Sequence, residues 1–300
     1  MSDAEVRPCP ACGGGDSRPV GEVGGFSMQS CHACGTVFTA RLPTAAESKD
    51  YARYYHDTNL EVPPFVRRRL DELVSPFDAD RRLNRWLDVG CGAGTLMQAV
   101  RGRGWDVIGT EVAERAAEAM RAKGFQVRSG ELEQLDLPEA SFDVVSSMEV
   151  VEHVPDVNAL LRECRRLLRP GGALYLTTPH GRGISARLLG TDWSVVGPPE
   201  HLQLFSIPGL RAALARAGFA VRSVRTGAVN PTELLQAARR RGRATRHRPM
   251  RPGARVESGY RLNESLSSSR AGSVVKGVAN AALSATRLGD TLKLVAQRPS

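Results

Sequence analysis

The sequence predicts an α/β protein, a parallel sheet with helices on both faces, preceded by a small cysteine-rich module. Three observations carry this. From Arg85 onward short apolar runs alternate with helical stretches at β-α-β lengths, which require a parallel sheet. The first apolar run, Trp86 to Val89, leads into a glycine-rich turn, Gly90-Cys91-Gly92-Ala93-Gly94. The N-terminal 42 residues carry two C-x-x-C pairs, Cys9/Cys12 and Cys31/Cys34, separated by eighteen residues.

The glycine turn defines a nucleotide-type pocket at the end of the first strand. Its glycines let the chain turn and approach a ligand closely, and Thr95 to Arg103 reads as the helix that follows. Val107 to Thr110 reads as the second strand, closed by Glu111; a carboxylate there can accept both hydroxyls of a ribose. The spacing is G-x-G-x-G and lacks the third glycine of a dinucleotide fingerprint. Asp88 also opposes a pyrophosphate, whose charge it would repel, and suits a cationic ligand. A glycine turn alone is equally what a tight structural turn looks like. More follows it, however: Gln126 to Ser129 reads as strand three, Ser141 to Ser147 as strand four, and Leu168-Arg169-Pro170-Gly171-Gly172 as a turn into strand five, Ala173 to Leu176.

These motifs, in this order, resemble the class I S-adenosylmethionine-dependent methyltransferases over roughly Arg85 to Arg182. The resemblance implies a Rossmann-like sheet of seven strands, with a last strand, Thr291 to Ala296, inserted antiparallel beside strand five. It also implies S-adenosylmethionine held by Asp88, Gly90, Gly92, Gly94 and Glu111, with Glu131 and Leu132 at the adenine and Met148 in the same pocket. The remaining helices read as Ala113 to Lys123, Asp156 to Leu168 and Ile207 to Ala217, the last capped by Ser206, and Ala220 to Thr226 reads as strand six.

Methyl transfer from a sulfonium is an in-line displacement, so alignment and exclusion of water matter most. A hydroxyl acceptor must also lose a proton, which calls for a base or a metal. In Met148-Glu149-Val150-Val151-Glu152-His153, the residues Glu149, Glu152 and His153 would share a face of a helical turn. The run resembles the E-x-x-E-H segment of ubiquinone-biosynthesis O-methyltransferases, which implies a divalent cation at Glu149, Glu152 and His153. His153 as general base and a purely structural segment are the open alternatives. His201, in a P-x-H-x-x-x-F-S segment, lies on the acceptor side by analogy, as catalyst or loop anchor. His180 is placed to face the same crevice or to sit on its rim. The expected reaction is methylation of a small-molecule acceptor, at a hydroxyl oxygen of a sugar, quinone-like or secondary-metabolite substrate. Sugar C-methylation is the enzymatic alternative, and a nucleic-acid-binding zinc-ribbon protein or RNA methylase is the alternative of another class.

The cysteine pairs have zinc-ribbon spacing. Gly13 and Gly35 follow the knuckles and let backbone amides turn toward the thiolates. Four sulfur ligands leave no open position, so the expected zinc is structural; two disulfides are the alternative, disfavoured in a reducing compartment. Cys91 and Cys164 read as packed small residues. The net charge of +9 is local: Arg239 to Arg255 holds eight arginines and no acid. The core is therefore nearly neutral, which argues against a nucleic-acid face, and the run is either a solvated loop or a contact for a membrane surface or an anionic substrate. With no signal-peptide pattern and no apolar span, the expected location is cytoplasmic. The expected domains are a zinc ribbon over 1–42, a helical connector over 43–84 carrying Tyr51, Tyr54 and Tyr55, a cofactor-binding core over 85–226, a basic helical insertion or lid over 227–290, and a final strand and C-terminus over 291–300.

Overall fold

The computed structural model describes residues 6–48, 70–240 and 270–300. In chain order its elements are β1 (Ser17–Val23), β2 (Phe26–Cys31), β3 (Val37–Thr39), β4 (Arg85–Val89), α1 (Thr95–Gly102), β5 (Asp106–Glu111), α2 (Glu114–Ala122), β6 (Gln126–Ser129), β7 (Phe142–Met148), α3 (Val157–Leu167), β8 (Leu168–Pro179), α4 (Ile184–Leu189), β9 (Gln203–Leu204), α5 (Ile207–Arg216), β10 (Ala220–Gly227), α6 (Pro231–Arg240), α7 (Arg270–Thr286) and β11 (Thr291–Gln297). The strands form a four-stranded sheet, β1-β2-β3-β9, and a seven-stranded sheet, β10-β11-β8-β7-β4-β5-β6. By compactness the chain divides into two units, residues 1–48, 178–212 and 224–293, and residues 49–177, 213–223 and 294–300.

The large sheet is the Rossmann-like sheet expected. β4 pairs in parallel with β5 and β7, β5 with β6, and β7 with β8. β4 and β7 are buried along almost their whole length, as continuous apolar strands are when helices cover both faces. β11 runs antiparallel beside β8: Arg298 exchanges backbone hydrogen bonds with Gly171 and Gly172, while at the other end the carbonyl of Asp290 accepts from His180 N. Strand order reverses between β4 and β7, so the segments leaving their carboxyl ends flank the crevice where such sheets bind ligands.

The core under this sheet is aromatic. Trp86 is fully buried and meets Phe77 and Trp105 edge-on, at 5.3 and 5.4 Å between ring centroids, a geometry that matches ring edge to ring face. Helix α3 places Val157, Leu160, Leu161, Cys164 and Leu167 on one buried stripe. It starts cleanly because the Asp156 carboxylate accepts from Asn158 N and Ala159 N. Cys164 is a packing residue whose thiol burial pushes up.

Asp143 ties the strands together at their amino ends. It is completely buried; one carboxylate oxygen accepts from Arg82 N at 3.0 Å and Arg169 Nε at 2.6 Å, the other from Leu83 N at 2.8 Å and Arg85 N at 3.2 Å. β7 thereby holds the start of β4 on one side and the start of β8 on the other. This arrangement corrects one expectation. Leu168 to Gly172 is not a free turn before a strand but the first part of β8 itself, bulged so that two steps on β7 (Phe142 to Val144) oppose five on β8 (Leu168 to Ala173). The bulge holds its place because Arg169 reaches back to Asp143 and Gly171 takes a left-handed φ of 74°.

In the other unit, the hairpin β1-β2 continues into β3, and β9, some 160 residues later, completes the sheet through Val37↔Leu204 and Phe38↔Gln203. Met28, Trp193, Val195, Val196 and Leu204 form its apolar core. Ser206 caps α5 as expected: its hydroxyl accepts from Gly209 N at 2.9 Å and donates to the carbonyl of Cys34 at 2.5 Å. Of the helical connector expected over 43–84, residues 70–74 are helical and Ser75–Asp80 is a 3-10 helix with proline in its first turn. Tyr51, Tyr54, Tyr55 and most of the Arg239 to Arg255 run lie outside the described residues.

Removing the Asp143 carboxylate strands the Arg169 guanidinium and three backbone amides. Asp143→Ala is expected to destabilise the protein by about 3–5 kcal/mol, read from the urea unfolding midpoint; a loss below 1 kcal/mol would show that the strand starts are held by other means.

Candidate functional site

The glycine turn leaves β4 at the switch point. Gly90, Gly92 and Gly94 all have left-handed φ, at 67°, 50° and 69°. At Gly94 the backbone is the N-cap of α1 and a Cβ would overlap the Met120 side chain; at Gly90 it would lie 2.5 Å from Val150 Cγ2. These two glycines are therefore required by neighbouring side chains as well as by the turn.

Glu111, at the end of β5, closes the loop. Its 5% exposed side chain accepts from Gly92 N at 2.8 Å and from Ala113 N at 2.9 Å. One carboxylate thus fixes both the glycine loop and the start of α2, and each oxygen keeps a second lone pair for a ligand. Asp88 lies deeper, 3% exposed, and its carboxyl accepts from Ser146 Oγ at 2.6 Å; Ser146 in turn accepts from Trp86 Nε1 at 2.8 Å. Burial pushes the Asp88 carboxyl up to about 7, opposed by the Ser146 hydrogen bond and reinforced by the charge of Glu111. Two acids sharing one buried site are relieved by a cation. Sequence reasoning overlooked Ser146, although a hydroxyl residue within the buried strand Phe142–Met148 was its signal. Further along the same ends of the sheet, Leu132 is buried, Glu131 is exposed and accepts from Gln134 Nε2 at 2.7 Å, and Met148 packs half-buried against the core. Cys91 is buried in the loop and its thiol is pushed up, by burial first and by Asp88 and Glu111 next.

The segment after β7 differs from the helical turn expected. Glu149 has a left-handed φ of 55° and donates its backbone N–H to the carbonyl of Thr177 at 2.9 Å. The turn begins only after it, closed by His153 N to the carbonyl of Val150 at 2.9 Å. A non-glycine residue in this conformation costs on the order of 1–2 kcal/mol, and here it sets Glu149, which is exposed, off the face that Glu152 and His153 share. Glu152 is fully buried, and its carboxylate lies 3.9 Å from Nε2 of the partly exposed His153.

Two histidines belong to the other unit. His201 is half-buried, with Nδ1 2.5 Å from the carbonyl of Val195. His180 is 3% exposed, with Nδ1 2.9 Å from the carbonyl of Gly289. It is packed rather than on an exposed rim. Its neighbour Asp290 accepts from Ser185 N and Ser185 Oγ, at 2.9 and 2.6 Å.

Cys9, Cys12, Cys31 and Cys34 converge, all four sulfurs lying within 4.8 Å of one another. Cys9 and Cys34 are 3.6 Å apart and Cys12 and Cys31 3.5 Å, near the edge of a tetrahedron with ~2.3 Å metal–sulfur bonds and far beyond a ~2.05 Å disulfide. The knuckles are matched: Gly13 N donates to the carbonyl of Cys9 and Gly35 N to that of Cys31, each at 2.8 Å. The Cys34 thiol is held down, to about 4, by Cys9 and then by Thr36, while Cys9 is pushed up. Sulfurs this close share protons unless a cation sits among them.

A profile described as a methyltransferase domain matches residues 60–224. Ubiquinone biosynthesis O-methyltransferase of Bordetella avium is 39% identical over 101 residues, covering 31% of this chain and 42% of that protein. The enzyme of the same name from Idiomarina loihiensis is 39% identical over 131 residues, 38% of this chain and 53% of that protein. The chain thus spans about half the length of the curated relatives it matches. Among solved structures, an S-adenosylmethionine-dependent methyltransferase from Archaeoglobus fulgidus superposes with a TM-score of 0.53 at 17% identity, covering 83% of this chain and all of that one. The [4+2]-cyclase SpnF gives 0.50 at 21%, covering 78% and 80%. These two likenesses concern the fold alone, since one fold hosts many chemistries.

A carboxyl raised from about 3.9 unfolded to about 7 folded keeps its proton longer in the native state. Its contribution to stability is full below about pH 4 and is lost as pH rises through about 7. Asp88→Asn should remove this dependence, so the variant's unfolding midpoint gains on that of the parent between pH 4 and pH 8; parallel pH profiles would contradict the assignment.

Proposed function

The chain belongs to the methyltransferase-domain family, and on that premise we propose that it methylates a hydroxyl oxygen of a small-molecule acceptor, using S-adenosylmethionine. The observation that carries this reading is the buried acid pair Asp88 and Glu111 around the glycine loop, a donor set suited to a cationic ligand with ribose hydroxyls. When bound, S-adenosylmethionine supplies an electrophilic methyl on a sulfonium. Glu111 and the amides of Gly90, Gly92 and Gly94 would hold it, Asp88 would offset its charge, and Glu131, Leu132 and Met148 would flank it. The names of the relatives support an oxygen acceptor of quinone-like type, and sugar or secondary-metabolite hydroxyls are the other acceptors proposed.

The acceptor hydroxyl must shed a proton. We assign this to His153, because the buried Glu152 carboxylate 3.9 Å away offsets the charge that the imidazole gains. His201 is the second base to test. A divalent cation at Glu149, Glu152 and His153 would serve the same end by polarising the hydroxyl; the exposed, left-handed Glu149 would have to turn toward the other two. Contact with an anionic substrate or a membrane surface is assigned to the Arg239 to Arg255 run. Among the described residues no helix is long and apolar enough to cross a membrane, and we place the protein, with its thiols reduced, in the cytoplasm.

Two variants separate binding from chemistry. Glu111→Ala should weaken calorimetric S-adenosylmethionine affinity by about 1–3 kcal/mol. His153→Ala should leave that affinity unchanged and lower turnover of phenolic and sugar acceptors by about 10²–10⁴-fold. A parent chain that binds no S-adenosylmethionine would sink the proposal, and normal turnover by the His153 variant would remove that residue from it.

The four cysteines we assign to structural zinc. Purified protein should carry about one zinc per chain and unfold at lower temperature after chelation; metal-free protein with unchanged stability would refute this.

A further inference from the structure

A groove of about 430 Å³ lies within the unit that carries the cysteine cluster, between the β1-β2 hairpin with its second knuckle and residues 181–196. That is the size of a small-molecule site. Arg18, Arg182, Arg187 and His32 line it, and among the described residues no carboxylate does. None of the three arginines forms an ion pair among the described residues. Elsewhere arginines find acids readily: Arg41, Arg103, Arg121, Arg166 and Arg169 each pair with a carboxylate. Three exposed guanidiniums with no acid partner among the described residues, around one concavity, leave their N–H donors open to an anion.

The groove is built rather than incidental. Gly35 has a left-handed φ of 74°, and a Cβ there would lie 2.7 Å from Arg182 Nη1, so the knuckle glycine makes room for that guanidinium. Across the groove a Cβ at Gly21 would lie 2.8 Å from Thr191 Cγ2. Arg187 is oriented by donating from Nε to the carbonyl of Arg182 at 2.9 Å, which leaves its terminal amino groups for a ligand. The hydroxyl residues Ser30 and Thr191 add donors, while Val37, Val196 and Leu204 supply an apolar floor. The charges are felt at depth: His180 is held toward its neutral form, chiefly by burial but also by Arg187 and Arg182.

We propose that this groove binds a phosphorylated small molecule, its phosphate held by Arg18, Arg182 and Arg187 and its less polar part on the valine-leucine floor. Guanidinium forks match phosphate oxygens in geometry and charge, and the mixed lining fits a phosphate ester better than a bare anion. The proposal does not depend on methyl transfer.

The test is calorimetric titration of the full, zinc-loaded chain at low salt with inorganic phosphate and with glucose 1-phosphate, against chloride at equal ionic strength. Both phosphates should bind in the millimolar range or tighter, glucose 1-phosphate at least as well as inorganic phosphate. Arg182→Gln with Arg187→Gln should weaken both at least tenfold, and Arg18→Gln alone should do so by severalfold. Arg128→Gln, an exposed arginine on β6, should bind as the parent does. Equal binding by parent and groove variants would overturn the site. So would groove-dependent binding of phosphatidylglycerol vesicles or an oligonucleotide without measurable binding of either small phosphate.

Discussion

One buried carboxylate fixes the position of the site from the far end of the sheet. Asp143 gathers the amides of residues 82, 83 and 85 and the Arg169 guanidinium. The register of β4 and β8 against β7 is thereby set where those strands begin. In a parallel sheet a slip of one residue turns every side chain to the opposite face. Asp88 and Ser146 would then no longer meet, and the glycine loop would emerge one residue out of step with Glu111. Chemistry at the carboxyl ends depends on a charge at the amino ends.

The loop is held shut by the same carboxylate that is proposed to hold the ligand. Glu111 fastens Gly92 and Ala113, while Asp88 is kept near the midpoint of its titration by burial. Such a site is organised before anything enters it, which lowers the cost of ordering on binding. It also carries unrelieved electrostatic strain, the usual condition of a functional site in an otherwise consistent fold.

What could be read from the sequence followed periodicity and local motifs. The strands around Trp86, Val107, Val127 and Val144 were legible because each is a short apolar run bounded by turn residues, and the cysteine spacing announced a four-sulfur cluster. What could not be read depends on partners distant in the chain. Asp143 looks like one letter of a strand motif, and nothing local shows that residues 82–85 will supply its donors. The Leu168 to Gly172 segment carries every sign of a turn and is kept in the strand by Arg169. Glu149 gives no warning of a left-handed backbone, since helical spacing to Glu152 and His153 suggested the opposite. The groove arginine at position 18 is remote in sequence from those at 182 and 187, and only folding gathers them.

β9 is two residues long, and its pairing with β3 has a consequence for the order of assembly. During synthesis the two knuckles leave the ribosome early and can come together, with the zinc proposed for them, while the outer edge of β3 is still bare. An open edge invites pairing with another chain, and at about 5–20 residues per second the interval before Leu204 emerges lasts on the order of ten to thirty seconds. Gathering of the four cysteines is therefore a local event that can come first, and closure of the sheet a long-range one that comes late. An excised cysteine module would remain permanently in the exposed interval.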